Sequence, residues 1–201
     1  MKNYFLSFVG CTLIFFFISS TAMADDATSE LKKSINSVID TIKDQQKATT
    51  PEAKTEQRKK IFKIALNLFN FDEMSKRTLG KAWKKLSKEN QKRFSHLFAR
   101  FLANIYYEHL EEYTNEKVKY LNQRQHKKKS LVKTVIVTQK NEIPVDYKLL
   151  KSDKWRIYDI SIEGVSLVRN YRSQFHKILR NQGIDDLMNM MQKKLGHFSD
   201  L

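Results

Sequence analysis

At 201 residues, with 41% hydrophobic and 29% charged residues, the chain has the composition of a globular protein rather than a disordered one. Its 37 Lys and Arg against 22 Asp and Glu give a formal charge of +15. In an exported chain such a charge points to anionic lipid surfaces or acidic proteins rather than nucleic acid, and it also favours solubility. With 5 glycines and 2 prolines, the chain should have long elements and few elaborate loops.

Residues 1–24 read as a cleaved secretory signal peptide. Lys2 supplies the positive start, Tyr4 to Ile18 the apolar core, and Ala22-Met23-Ala24 a small-x-small cleavage site before Asp25. The apolar run is short for a retained membrane anchor. Cys11 lies inside that core instead of after it, which argues against lipidation. The rest of the chain has no cysteine, so its fold cannot use a disulfide. The expected organisation is one domain over 25–201: helical over 25–115, sheet over 116–162, helical over 163–201.

The first helix is predicted over 26–48, with Leu31, Ile35, Val38, Ile39 and Ile42 on one face. Thr50 caps a second helix with Pro51 in its first turn, and that helix runs to about Asn70 with Ile61, Ile64, Ala65 and Leu68 inward. A third helix starts at Phe71 with Asp72 as the expected N-cap. Leu79, Ala82, Trp83 and Leu86 follow, and Gly80 offers a close approach to another element. Ser87 caps a fourth helix to about Leu110. Its stripe of Phe94, Leu97, Phe98, Phe101, Leu102, Ile105 and Tyr106 is bulky enough to cover a sheet and still line a cavity.

From about Glu116 the period changes to that of strands. Val118 and Tyr120 begin the first, and Gln123 to Ser130 is expected as a basic loop around Lys127-Lys128-Lys129. That triplet reads either as a solvated turn or as a patch that steers docking to anionic membranes or acidic partners. Leu131 to Gln139 is a second strand, Lys140-Asn141 a hairpin turn, and Ile143 to Leu149 a third strand, with Pro144 near its start or edge. Lys154 to Ile162 is the fourth. Short connections imply an antiparallel meander. The chain then turns through Glu163-Gly164 into a helix capped by Ser166, with Leu167, Tyr171, Phe175 and Ile178 on one face. After Gly183 a last helix carries Ile184, Leu187, Met188, Met191 and Leu195, its methionines read as packing or as a flexible pocket wall.

Catalytic parts are missing. Gly164-Val165-Ser166 opens like a nucleophile elbow, but Val168 stands where the second glycine is required. His96, His109, His126, His176 and His197 are scattered and form no zinc-binding pattern. So few glycines leave no phosphate-binding loop. The chain reads as no enzyme, with no metal and no cofactor.

The run Trp155-x-x-Tyr158-Asp159-Ile160-x-x-Glu163-Gly164-Val165-Ser166-Leu167, then Asn170-Tyr171-Arg172-x-x-Phe175 and Arg180-x-x-Gly183-Ile184-Asp185-x-Leu187, resembles the MlaC family. Phe71-Asp72-x-Met74, Leu79-Gly80-x-x-Trp83 and the Phe94, Phe98, Tyr106 spacing resemble its helical half. These are periplasmic phospholipid-binding proteins of the maintenance-of-lipid-asymmetry system, also called toluene-tolerance auxiliary proteins. The resemblance implies an α+β, nuclear-transport-factor-like fold: a curved antiparallel sheet of about four strands and several helices around a hydrophobic pocket. It implies a shuttle whose cargo is glycerophospholipid. Expected partners are an inner-membrane ABC transporter with a lipid-binding ring, an outer-membrane lipoprotein–porin complex, and, transiently, a membrane surface.

That role selects candidate acyl contacts. Leu97, Phe101 and Ile105 come from the fourth helix, and Val135, Val137, Val145, Tyr147 and Trp155 from the sheet. Val165, Val168, Tyr171 and Phe175 close the side, with Met188 and Met191 near the mouth. Parity does not settle which strand face meets the lipid. Arg172 is the candidate for the head group, set against a surface ion pair. A carrier should enclose an apolar cavity of ~1,000 Å³ or more. The rival, an exported basic adaptor, should have a filled core.

Overall fold

The computed structural model describes residues 26–45, 50–111 and 115–199. The expected signal peptide, with Cys11, lies outside the described residues. Helices α1 (Ala27–Gln45), α2 (Pro51–Leu68), α3 (Phe71–Leu79) and α4 (Lys88–Glu111) come first. Strands β1 (Lys117–His126), β2 (Lys129–Val137), β3 (Glu142–Lys151), β4 (Trp155–Ile162) and β5 (Val165–Ser166) follow. Helices α5 (Leu167–Asn181) and α6 (Ile184–Lys193) end the main elements, with short 3₁₀ turns at Ala82–Lys85 and Gly196–Phe198.

Local chemistry sets most boundaries. Thr50 accepts the Ala53 N–H at 3.2 Å, Ser87 that of Asn90 at 3.1 Å and Ser166 that of Arg169 at 3.1 Å, as short polar side chains do at N-caps. The third cap differs from expectation. Asn70, not Asp72, accepts the Glu73 N–H, at 3.0 Å. The reason is tertiary: the Asn70 N–H is itself bound to the Ile157 carbonyl at 2.7 Å, and Phe69 bridges Ile157. This short pairing with β4 keeps Asn70 non-helical, so the helix starts immediately after it.

The sheet is antiparallel throughout, in the order β1-β2-β3-β4-β5. The basic segment is not a loop from Gln123 to Ser130. Strand pairing continues to His126 opposite Lys129, leaving Lys127-Lys128 as the turn, with Lys127 at φ +51°. The β2–β3 connection is likewise longer than a Lys140-Asn141 turn, since Val137 pairs with Glu142. Its closing ring comes from Thr138, whose hydroxyl oxygen accepts the Asn141 N–H at 2.9 Å. Glu163 and Gly164 join β4 to β5 with φ of +49° and +81°, the two positive values of a type I′ hairpin. Register shifts at Leu121 and at Tyr158 are places where a bulge bends the strand.

Register assigns the two faces. Val132, Thr134 and Ile136 lie opposite Tyr147, Val145 and Ile143, and Leu149 and Tyr147 lie opposite Ile157 and Ile160. These residues share one face. The start of α1 crosses it, burying Ala27 and Leu31. Two polar ties hold α1 there. The Thr28 N–H donates to Gln123 Oε1 at 2.9 Å, and Glu30 Oε2 accepts the Trp155 N–H, also at 2.9 Å. The other face is a charge ladder, with Lys119–Glu142 at 2.9 Å, Lys133–Asp146 at 3.8 Å and Lys148–Asp159 at 2.9 Å.

The α4 stripe does not cover the sheet. Phe94, Leu97, Phe98, Phe101 and Leu102 pack instead with Met74 and Leu79 of α3, Val168, Tyr171 and Phe175 of α5, and Leu187 and Met191 of α6. The sheet face is already occupied by α1, and the stripe is satisfied by a helical cluster of its own. Edge-to-face ring pairs such as Phe98–Tyr171 at 5.6 Å and Phe94–Phe175 at 6.2 Å show how it interlocks. A third cluster, Ile42, Ile61, Phe62, Ala99, Tyr107 and Phe198, joins α1 and α2 to the back of α4.

Candidate functional site

The predicted acyl contacts fall into two groups. Leu97, Phe101, Val168, Tyr171, Phe175, Met188 and Met191 are buried together in the helical cluster, with Ile105 packed against it. Val145, Tyr147 and Trp155 are buried in the sheet cluster with Leu31, Leu68, Val132, Leu149 and Ile157. Val135 and Val137 stand opposite Pro144 and Glu142, on the charge-ladder face, so they do not converge with Val145 and Tyr147. Val165 is 63% exposed at the β4–β5 tip, beside Ile162 at 41%.

The link between the groups runs through β4. Asp159, almost wholly buried, projects to the face opposite Ile160. There it accepts the Val168 N–H at 3.1 Å, the Ser166 hydroxyl at 2.8 Å and Lys148 Nζ at 2.9 Å. These bonds fix the start of α5, and with it Val168 and Tyr171, on that side of the sheet. Tyr158, at the bulge, also packs with the helical cluster and carries Arg77 over its ring at 4.3 Å. Phe69 touches both clusters. It precedes a capping residue rather than standing in an apolar stripe, so periodicity alone did not single it out.

Among the clefts at the surface of the described residues, two bear on the site. One of about 460 Å³ is lined by Asn70, Asp72, Glu73, Lys76, Trp83, Lys88, Gln91 and Lys92. The other, of about 280 Å³, runs from Leu66 and Phe69 to His96 and Arg156. Neither is lined by a predicted acyl contact, and neither is an enclosed apolar cavity near ~1,000 Å³. Arg172 is exposed on α5 and lies over Gly80, where an added Cβ would come within 3.3 Å of its guanidinium.

The sheet face has the chemistry of an amphiphile's surface. Tyr120, Ile136, Ile143 and Ile160 are only partly buried there, around the buried Val145 and Tyr147. Among the described residues the Tyr120 hydroxyl has no hydrogen-bond partner, and burial pushes its pKa up to about 12. Burial also raises that of Tyr147, with the Tyr120 charge adding to the effect. Both phenols therefore stay neutral donors at any physiological pH. Sequence reasoning missed Tyr120, Ile136, Ile143 and Ile160, although the alternation of Ile143, Val145, Tyr147 and Leu149 on β3 places Ile143 on the same face as Val145 and Tyr147.

Comparison with known proteins decides the family. The sequence profile of the family described as MlaC protein matches residues 32–193. The chain belongs to the MlaC family. It is similar to the protein named "Intermembrane phospholipid transport system binding protein MlaC" of Haemophilus influenzae, 26% identical over 131 residues. That match covers 62% of this chain and 61% of the relative's length. The fold is shared with a phospholipid-binding protein from Ralstonia solanacearum whose structure was solved in complex with a phospholipid. The TM-score is 0.73 at 22% identity, over 87% of this chain and 99% of that one. The resemblance carried by the Tyr158–Ser166 block is thus borne out at the level of family and α+β fold. Among the described residues no cluster of acidic, histidine or cysteine side chains could hold a metal ion.

Proposed function

We propose that this MlaC-family protein is a periplasmic carrier that shuttles glycerophospholipids between the outer and inner membranes and is not an enzyme. The observation that carries the proposal is the sheet face itself. It is largely apolar, incompletely covered by α1, and holds the Tyr120 hydroxyl. Family membership and the lipid-bound structural relative support the same reading.

The physical problem for such a carrier is desolvation. An acyl chain exposed to water costs roughly 0.8 kcal/mol per methylene, so free passage between membranes is negligible. Moving the chain from a bilayer to an apolar sheet face exchanges one oily surface for another, and most of that cost cancels. The acyl chains lie along Ile136, Ile143, Val145, Tyr147 and Ile160, with Ile162 and Val165 as an exposed apolar lip. Tyr120 donates to an ester or glycerol oxygen. Because the helical cluster is already close-packed, its members support the site rather than line it. Direction of transport comes from differential affinity at the donor and acceptor complexes, here the outer-membrane lipoprotein–porin complex and the inner-membrane ABC transporter.

Native mass spectrometry of the protein purified from its own compartment without detergent tests the reading. Bound mass identified as phospholipid is the expected result. A clean apoprotein mass that also fails to take lipid from vesicles would favour a basic adaptor with a filled core.

A further inference from the structure

Two stretches of the chain carry many cations and no acid of their own. Residues 74–88 contain Lys76, Arg77, Lys81, Lys84, Lys85 and Lys88 and no Asp or Glu. Residues 167–184 contain Arg169, Arg172, Lys177 and Arg180 and again no Asp or Glu. The fold brings these two stretches together. Gly80, at φ +58°, lacks the Cβ that would crowd the side chains of Arg172 and His176, so α5 lies directly against the turn after α3. Arg169, Arg172 and Arg180 fall at i, i+3 and i+11 of α5, on its outward face, and all are exposed. Lys81, Lys84 and Lys85 are exposed on the adjoining 3₁₀ segment. Lys88 and Lys92 continue the patch into the larger cleft. Of the two acids in that cleft, Glu73 is held by Arg77 at 2.6 Å and Lys76 at 3.5 Å, which leaves Asp72 at the margin.

We propose that this α3–α5 face docks the protein on an anionic phospholipid bilayer. Three features favour a bilayer over an acidic protein. The exposed large hydrophobic residues among those described, Leu66, Leu121, Ile162 and Val165, all lie outside both stretches, so the face lacks the apolar centre on which protein interfaces depend. Its charges are also mostly lysines on flexible stems. These suit a diffuse layer of head groups better than the fixed, bidentate geometry of a protein carboxylate pair. The half-buried Trp83 sits among them, a residue type suited to the membrane–water boundary. The Lys127-Lys128 hairpin is a separate site with three successive charges. This docking does not depend on whether the protein also carries lipid.

The test is co-sedimentation of the protein with phosphatidylcholine vesicles, with and without phosphatidylglycerol, at low and at physiological salt. Binding that requires phosphatidylglycerol and weakens with salt is expected. The triple variant Lys81→Gln/Lys84→Gln/Lys85→Gln should bind about a hundredfold more weakly, about fivefold for each charge removed. All three side chains are exposed, so an unchanged thermal melt should accompany the loss. The matching variant Lys127→Gln/Lys128→Gln/Lys129→Gln removes the same charge elsewhere and should bind nearly as the parent does. Equal losses in the two variants would mean that only net charge matters and would overturn the assignment. Absence of binding to phosphatidylglycerol vesicles would overturn it too, leaving the face to an acidic protein.

Discussion

Ser166 and Asp159 are locked together where strand β4, its hairpin and helix α5 meet. The Ser166 hydroxyl lies 3.0 and 2.8 Å from the two Asp159 carboxylate oxygens and donates to them, while its oxygen accepts the Arg169 N–H at 3.1 Å. Asp159 also takes the Val168 N–H, so a carboxylate faces the positive end of α5. The motif resembling a nucleophile elbow is thus a hinge point of the fold. Its serine is committed to capping, and among the described residues no histidine is a hydrogen-bond partner of its hydroxyl.

Asp159→Asn keeps the shape of the side chain but removes its charge from the helix terminus and from Lys148. Urea unfolding should show a loss of about 1.5–3 kcal/mol, the range for hydrogen bonds to a charged group. Ser166→Ala should cost about 1 kcal/mol as a lost cap, with the orphaned Asp159 adding to it. The two losses should be non-additive, because they share one network. Strict additivity would show that Asp159 and Ser166 act independently.

Among the described residues, Phe69 is the one partly buried hydrophobic packed against both the helical and the sheet clusters, and its ring stacks on Phe71 at 5.5 Å. Phe69→Ala should destabilise the protein by about 3 kcal/mol, at the low end for a phenylalanine truncation because Phe69 is only half-buried. The diagnostic readout is hydrogen exchange. Protection should fall in α3 and β4 together. A loss confined to one of them would mean that the clusters are coupled elsewhere.

If acyl chains lie on the apolar sheet face, filling it should expel them. Ile143→Trp is expected to lower phospholipid affinity about tenfold, equivalent to about 1.4 kcal/mol. Val135→Trp, whose side chain projects from the opposite face of the same sheet, should leave affinity unchanged. Lipid partitioning from vesicles, followed by mass spectrometry of the protein, measures both. Equal effects would move the cargo away from this face.

Much of this arrangement was legible in the sequence, and the errors have physical causes. The caps at Thr50, Ser87 and Ser166 were readable because capping is local chemistry. Asn70 was not, because its conformation is set by pairing with Ile157, 87 residues away. That Val135 and Val137 do not share a face with Val145 is also readable from the sequence. Any two- or four-residue connection after β2 pairs Val145 with an even-numbered partner, so Thr134 and Ile136, not Val135, must share its face. The stripe on α4 was correctly apolar, but a stripe does not say what it packs against. That answer depended on α1, which takes the sheet face through Thr28 and Glu30, two polar contacts that no hydrophobic pattern reveals.

His96 supplies a test near neutral pH. It lines the smaller cleft, with its ring 6.2 Å from that of Phe62 and edge-on to it. Partial burial lowers its pKa below the usual 6.5, and the nearby Arg100 lowers it further. The folded protein therefore binds this proton less readily than the unfolded chain does. As pH falls through about 6.5 the unfolded state takes up the proton first, so stability declines until the pH is below the folded-state pKa. The urea midpoint should therefore drop between pH 7.5 and pH 5, and His96→Gln should flatten part of that slope. NMR titration of the His96 ring gives the direct check. A midpoint at or above 6.5 would mean that the imidazolium is not disfavoured in the folded protein, and the slope would have to come from other groups.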